Sequence, residues 1–220
     1  MRYAQQSKFK EIGEKGQKVF ESKTVAVVGL GNLGSTISLM LLRGGINLRL
    51  IDKGRVDITE LSGQSMYLEE DHSKFKAKQA KKYMEETNPK VKVRTFHEDL
   101  TRNNIYLIDA DVIVDATGDE STSRLISDEA KKKKTPLIVV AASGSQGVIA
   151  TSDKGAPLEK IRPILQKMKP VKDSGLISPA VHMAASLTVA RIMKILLKKP
   201  YNKEIIQFDT WNDTVKKQKA

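Results

Sequence analysis

Residues 24–52 read TVAVVGLGNLGSTISLMLLRGGINLRLID, and the order of residue types in this stretch decides the fold. The apolar, β-branched run 25–28 has the composition of a parallel strand buried on both faces. Gly29, Gly31 and Gly34 follow in G-x-G-x-x-G spacing. Residues 35–42 then carry a helical apolar pattern, Gly44-Gly45 stops it, and residues 48–51 form a second strand with Asp52 at its tip. This is one β-α-β unit. In such a unit Gly29 makes the tight turn, Gly31 lets the backbone approach a phosphate, and Gly34 lets helix and strand pack closely. The helix start offers free N–H groups and a positive dipole end to an anion. Asp52 is placed to accept hydrogen bonds from ribose hydroxyls. A glycine turn that merely packs is the competing reading of the spacing alone. The strand-turn-helix context, with the acid in place, favours a nucleotide.

A chain of 220 residues can bury a sizeable core and suits one α/β domain. No apolar run reaches transmembrane length, and the N-terminus MRYAQQSKFK lacks the apolar centre of a signal peptide. A soluble cytoplasmic protein without membrane partners is expected. Cysteine is absent, which excludes disulfides, thiolate zinc sites and a catalytic cysteine from this sequence. The net charge of +12 points to an anionic partner. Five Phe, five Tyr and one Trp, with no recognition-helix or RNA-binding signature, argue against nucleic acid as that partner.

The remaining chain continues the alternation. Residues 1–22 read as an arm and short helix, interrupted at Ile12-Gly13 and Gly16-Gln17. After Asp52 an irregular polar loop lies beyond the strand's carboxyl end, where α/β sheets bind ligands. Residues 74–86 form an amphipathic helix ended by Asn88-Pro89. Residues 91–96, 111–115 and 136–142 are strands, and 123–133 a helix that ends in the solvated run Lys131 to Lys134. Strands alternating with helices predict a Rossmann-like, doubly wound, mainly parallel sheet with helices on both faces, in a single domain. A further strand is expected near 148–151, then a Gly-, Pro- and Lys-rich crossover over 152–178 that is flexible or folds over the site. Residues 180–197 form an apolar helix with small residues, either central to the core or at a subunit interface. Residues 205–211 close the sheet, Trp211 is a core or edge residue, and the lysine-rich end frays. His72, His97 and His182 show no ligand spacing and read as surface or packed residues.

Several motifs recur in order: RY at Arg2-Tyr3, IGEKGQ from Ile12, VAVVGLGNLGS, LID ending at Asp52, K-x-K-A around Lys76-Ala77, NP at Asn88-Pro89, VDATGD ending at Asp119, and GLISP-x(6)-AS ending at Ser186. Together they resemble the ubiquitin-activating-enzyme-like (ThiF/MoeB/HesA) adenylating family over nearly the whole chain. The resemblance implies a homodimer that uses ATP and Mg2+ to adenylate a carboxylate, releasing pyrophosphate. It implies that Gly29, Gly31, Asn32, Leu33 and Gly34 hold the phosphates, that Asp52 takes the ribose, and that Lys53, Gln64 and Arg124 bind nucleotide. Lys76 matches the family's phosphate-contacting lysine, and charge building on the α-phosphate and departing pyrophosphate gives a cation there a chemical purpose. Asp119 matches the magnesium-associated aspartate, with Asp115 as fallback because Gly118 looks inserted; hard oxygen ligands suit that ion.

The sequence also departs from the pattern D-x-D-x-V-x-x-S-N-L-x-R-Q that follows the ribose aspartate in the family. Gly54 replaces an aspartate, Glu60 an asparagine and Gly63 an arginine, while Gln5 stands at the place of an arginine finger. Two positive charges at the triphosphate are lost, to be compensated by Arg43, Lys53, Arg55 or Lys74 or else reflected in slow or absent catalysis. The resemblance leaves the carboxylate open. One candidate is a small anionic molecule such as guanylylpyridinol, as in the methanogen branch that makes the iron-guanylylpyridinol hydrogenase cofactor, with a partner protein accepting the acyl group. The other is the C-terminal glycine of a ubiquitin-like or sulfur-carrier protein. A non-catalytic nucleotide-binding scaffold and an NAD-dependent oxidoreductase are the readings from other classes.

Overall fold

The computed structural model describes residues 2–153, 157–201 and 203–218. Strand β1 (Thr24–Val28) runs through the centre of an eight-stranded sheet. Its alternate side chains supply two separate cores. Val25 and Val27 face one, and Ala26 and Val28 the other. Strand β2 (Asn47–Ile51) pairs parallel on one side of it, and β3 (Val93–Phe96) pairs parallel with β2. On the other side lie β4 (Val112–Asp115) and β5 (Leu137–Ser143), again parallel. Every one of these strands ends on the same edge. There Gly29, Asp52 and Thr117 emerge together.

The first helices, α1 (Ala4–Lys8) and α2 (Gly13–Ser22), precede the sheet. One core packs α2, α3 (Asn32–Arg43), α4 (Lys76–Thr87) and the long helix α8 (Ser178–Leu196) on the sheet. The other packs α5 (Glu120–Lys133) and α6 (Pro157–Leu165). The fold is thus a single α/β domain with helices on both faces, as the alternation predicts. Ala180, Ala184 and Ala185 are fully buried against α3 and the sheet, whereas Ser186 and Ala190 of the same helix are exposed. Each large aliphatic side chain sealed this way contributes about 1.5–3 kcal/mol of burial free energy.

The structure corrects three expectations and gives the local form of a fourth segment. Gly16-Gln17 does not interrupt the N-terminal helix, because both residues lie inside α2, where Gln17 bonds to the Gly44 carbonyl. The 152–178 crossover, expected to be flexible or to fold over the site, has helical segments where it is described, and residues within 165–171 share a pocket with Asp115 and Asp119. It contains α6, whose Ile161 is fully buried, and α7 (Val171–Ser174); residues 154–156 fall outside the described set. The lysine-rich end forms a strand, β8 (Thr214–Gln218), which continues the antiparallel series β6 (Gln146–Ser152), β7 (Ile205–Asp209), β8. Trp211 lies in the β7–β8 turn and is 78% exposed, because Asp209 accepts the N–H groups of Trp211 and Asn212 and so turns the chain out of the sheet. No described helix is long and apolar enough to cross a membrane.

Candidate active site

Beyond the carboxyl ends of β1, β2 and β4 lies a cleft of about 250 Å³, lined by Gly29, Asp52, Lys53, Thr117 and Asp119 among others. Its floor is the glycine turn. Gly29 has φ +88°, and a Cβ there would stand 2.7 Å from the Ala116 carbonyl oxygen. A Cβ on Gly34 would lie 1.7 Å from the Gly29 carbonyl oxygen, so this glycine is required by the close approach of helix to turn. Gly31 differs: a Cβ there meets nothing within 4 Å. Protein packing does not demand a glycine at 31, but a ligand lying against that backbone would. Asn32 and Leu33 open α3 directly behind it.

Asp52 does more than wait at the tip of β2. Its Oδ2 accepts the Leu30 N–H at 2.6 Å and its Oδ1 the Gly54 N–H at 2.5 Å, so it ties the glycine turn to the chain after β2. The Tyr67 hydroxyl donates to the Leu30 carbonyl from the other side, and burial, then the nearby Asp52, push that hydroxyl's pKa up. Nothing in the sequence around Tyr67 signals this role.

Lys76 opens α4, and its backbone N–H donates to the Gly54 carbonyl. The side chain is buried. Its Nζ lies 2.5 Å from Glu60 Oε2, and Gln64 Nε2 donates to the same oxygen at 2.6 Å. The Glu60 departure flagged this position, but not the ion pair it makes. Gly63 fits its surroundings as well: a Cβ there would meet Asn32 Oδ1 at 2.6 Å, so a larger residue would have to displace Asn32.

Asp119 caps α5, accepting the Ser121 hydroxyl at 2.6 Å and the Thr122 N–H at 2.8 Å. Those bonds hold its carboxyl down at about 2, and it is open to solvent. Asp115 is its opposite. Burial pushes its carboxyl up against the bonds from Ser123 and Thr117, and its Oδ2 is buried without a hydrogen-bond partner. Arg124 is exposed and bonded to Glu120 at 2.8 Å, and it lines the adjoining open cleft with Lys53 and Asp119.

The structure therefore gathers Gly29, Asp52, Lys53 and Asp119 at one cleft, with Gly31 beside the glycine turn. Lys76 and Gln64 meet on Glu60 next to the segment after Asp52. Of the cations expected to compensate for the missing arginines, Lys53 lines the cleft, and the others have partners or lie away from it. Arg43 ends α3, about 18 Å from the glycine turn at 1.5 Å per residue. Lys53 pairs with Asp99 at 2.8 Å and Lys74 with Asp71 at 3.2 Å. Arg55 donates to the Ser73 carbonyl and lies over the Phe75 ring. Gln5 sits exposed on α1, whose neighbour Gln6 bonds to Gly44 beyond the far end of α3. Of the histidines, His97 stacks on Phe75, and His182 Nδ1 is bonded to Ser178.

Comparison with known proteins places the chain in a family. The chain is 31% identical over 220 residues to the sulfur carrier protein ThiS adenylyltransferase of Bacillus subtilis, covering 96% of this chain and 66% of that protein. It is 29% identical to the adenylyltransferase and sulfurtransferase MOCS3 of Culex quinquefasciatus, covering 89% of this chain and 47% of that protein. The chain thus spans between about half and two thirds of the length of these relatives. Among solved structures, PaaA superposes with a TM-score of 0.84 over 99% of this chain and 82% of its own, at 21% identity, which shows the shared fold. The profile of the ThiF family matches residues 3–220. The chain belongs to the ThiF family.

Proposed function

We propose that the chain adenylates a carboxylate with ATP, releasing pyrophosphate, and that the substrate is the C-terminal carboxylate of a ubiquitin-like or sulfur-carrier protein. The observation that carries the reading is the convergence of the glycine turn, Asp52 and Asp119 on one cleft, with the buried Lys76 ammonium beside it. The turn's N–H groups and the start of α3 receive phosphates. Asp52 keeps lone pairs for ribose hydroxyls while it holds Leu30 and Gly54 in place. Lys76 offers its ammonium to the charge that builds as pyrophosphate departs, in surroundings that exclude water and so strengthen the interaction. The carboxylate nucleophile is already ionised, so positioning and charge neutralisation matter more than a base. Asp119, ionised and exposed, suits Mg2+ together with phosphate oxygens, and the ion would supply charge neutralisation there.

The choice of a carrier protein follows what the relatives are named for: sulfur carrier protein ThiS in one case, sulfur transfer in the other. A homodimer is part of the same reading. With no cysteine in this sequence, the acyl group passes to a nucleophile outside it. A second reading, a small anionic carboxylate such as guanylylpyridinol, is favoured by one observation. A pocket of about 430 Å³ adjoins Asp115 and Asp119, and Val139, Leu165, Met168 and Pro170 give it an apolar wall, with Arg162 and Lys169 beside them.

The test is carboxylate-dependent exchange of labelled pyrophosphate into ATP with Mg2+, comparing a ubiquitin-like carrier protein with guanylylpyridinol. Exchange with the carrier alone supports the main reading, and exchange with the small molecule alone supports the second. ATP binding without exchange in either arm would mark a nucleotide-binding scaffold.

A further inference from the structure

Glu60 stands where the groups around the glycine turn converge. Its Oε2 takes both the Lys76 ammonium at 2.5 Å and the Gln64 side-chain amide at 2.6 Å. Lys76 is only 8% exposed, so its charge has lost most of its hydration and faces this one carboxylate. Asp57 adds negative charge nearby. The remaining cations of the region, Lys53, Lys74 and Arg55, are held by Asp99, Asp71 and the Ser73 carbonyl. Behind the cluster, Gln64 Oε1 and Asn32 Oδ1 are buried without partners. The ammonium groups of Lys53, Lys74 and Lys76 are thus each matched by a carboxylate before any ligand arrives, while Arg55 keeps its charge.

A phosphate that reaches Lys76 must come up against the Glu60 carboxylate. Two anions at such range repel, partly screened because Glu60 is 41% exposed, and the repulsion grows with the ligand's charge. We propose that Glu60 sets the charge of the nucleotide that this site accepts, selecting a nucleoside triphosphate shielded by a divalent cation over the same triphosphate free. The inference rests on the reading of the cleft as a nucleotide site. Glu60 acts through Lys76 and through its own field; it is a specificity-determining residue and not one that touches the reacting atoms. A glutamine in its place would keep an acceptor for Lys76 and for Gln64, and would remove only the charge.

Calorimetric titration of the full chain with ATP, in Mg2+ and in EDTA, reads this directly. In the unaltered protein, removing Mg2+ weakens ATP binding at least tenfold. In Glu60→Gln, the affinity for metal-free ATP rises about tenfold and the ratio between the two conditions falls below about threefold. Glu60→Asp restores most of the ratio, and AMP, with less charge, responds least to either change. Melting curves establish that the variants fold, and Glu60→Asn gives the same charge change should the glutamine pack poorly. An unchanged Mg2+ ratio in folded Glu60→Gln overturns the inference while leaving the nucleotide site intact. Failure of the unaltered protein to bind any adenine nucleotide overturns the nucleotide reading itself, and this inference with it.

Discussion

The Asp52 carboxylate accepts the Leu30 N–H at 2.6 Å, so the residue expected at a ribose also fixes the turn that would hold the phosphates. Replacing it should therefore cost both stability and binding. Asp52→Ala leaves the Leu30 and Gly54 amides without their acceptor, and should lower unfolding free energy by about 2 kcal/mol in urea titration. Asp52→Asn keeps one acceptor oxygen and should lose about half as much. A variant that weakened adenosine binding with no change in stability would contradict the double role.

Gly31 and Gly34 should separate ligand binding from folding. Gly34→Ala drives a methyl into the Gly29 carbonyl, and should destabilise the fold by about 1–3 kcal/mol, as overpacking does. Gly31→Ala meets open space. Its melting temperature should stay within a few degrees of the unaltered protein while ATP affinity drops sharply, as thermal-shift titration would read.

Lys76→Ala should reduce pyrophosphate exchange by about 10²–10³-fold, the range for removing one group that stabilises transition-state charge. The Glu60 carboxylate it leaves behind is 41% exposed and can hydrate. Truncating a side chain that is only 8% exposed should lower stability in urea by about 1–3 kcal/mol, so melting curves on the same samples separate a loss of chemistry from unfolding.

Asp119 caps α5, and Asp119→Ala should cost about 1 kcal/mol. The pH dependence has a defined sign. The folded carboxyl is held at about 2, below its ordinary 3.8. Its contribution is therefore fully present above about 3.8 and is lost as pH falls towards 2. Acid titration of stability should show a shallower loss over that window in Asp119→Ala than in the unaltered chain.

Much of the fold was legible in residues 24–52 because strand, turn and helix there each obey a local rule. Val25 to Val28 has the composition of a strand buried on both faces, and Gly34 has the spacing of a close approach between helix and strand. The β8 strand was not legible. Thr214 to Gln218 is exposed along its length and takes its conformation from pairing with β7, which local composition does not reveal. The same holds for the site. Asp52 follows from its position at a strand end, whereas the Glu60–Lys76 pair joins residues sixteen apart across an irregular loop. Arg43 looked close to the phosphates because it lies few residues away, yet a helix carries it to the opposite edge of the sheet.

The sheet has two halves that differ in how far the chain must travel to make them. The β5–β6 hairpin closes through Gly144 and Ser145, and the β7–β8 hairpin through four residues that follow Asp209. By contrast, β1 and β4 align Val25 with Val112, a loop closure whose entropy must be met before its contacts form. The hairpins should therefore gain amide protection early in refolding. The central pair, which shapes the cleft proposed for nucleotide, should gain it late. Pulse-labelled hydrogen exchange would see that order. A chain interrupted during folding would then have a formed antiparallel edge and no cleft, so any ligand of that cleft would stabilise only molecules that have completed their slowest step.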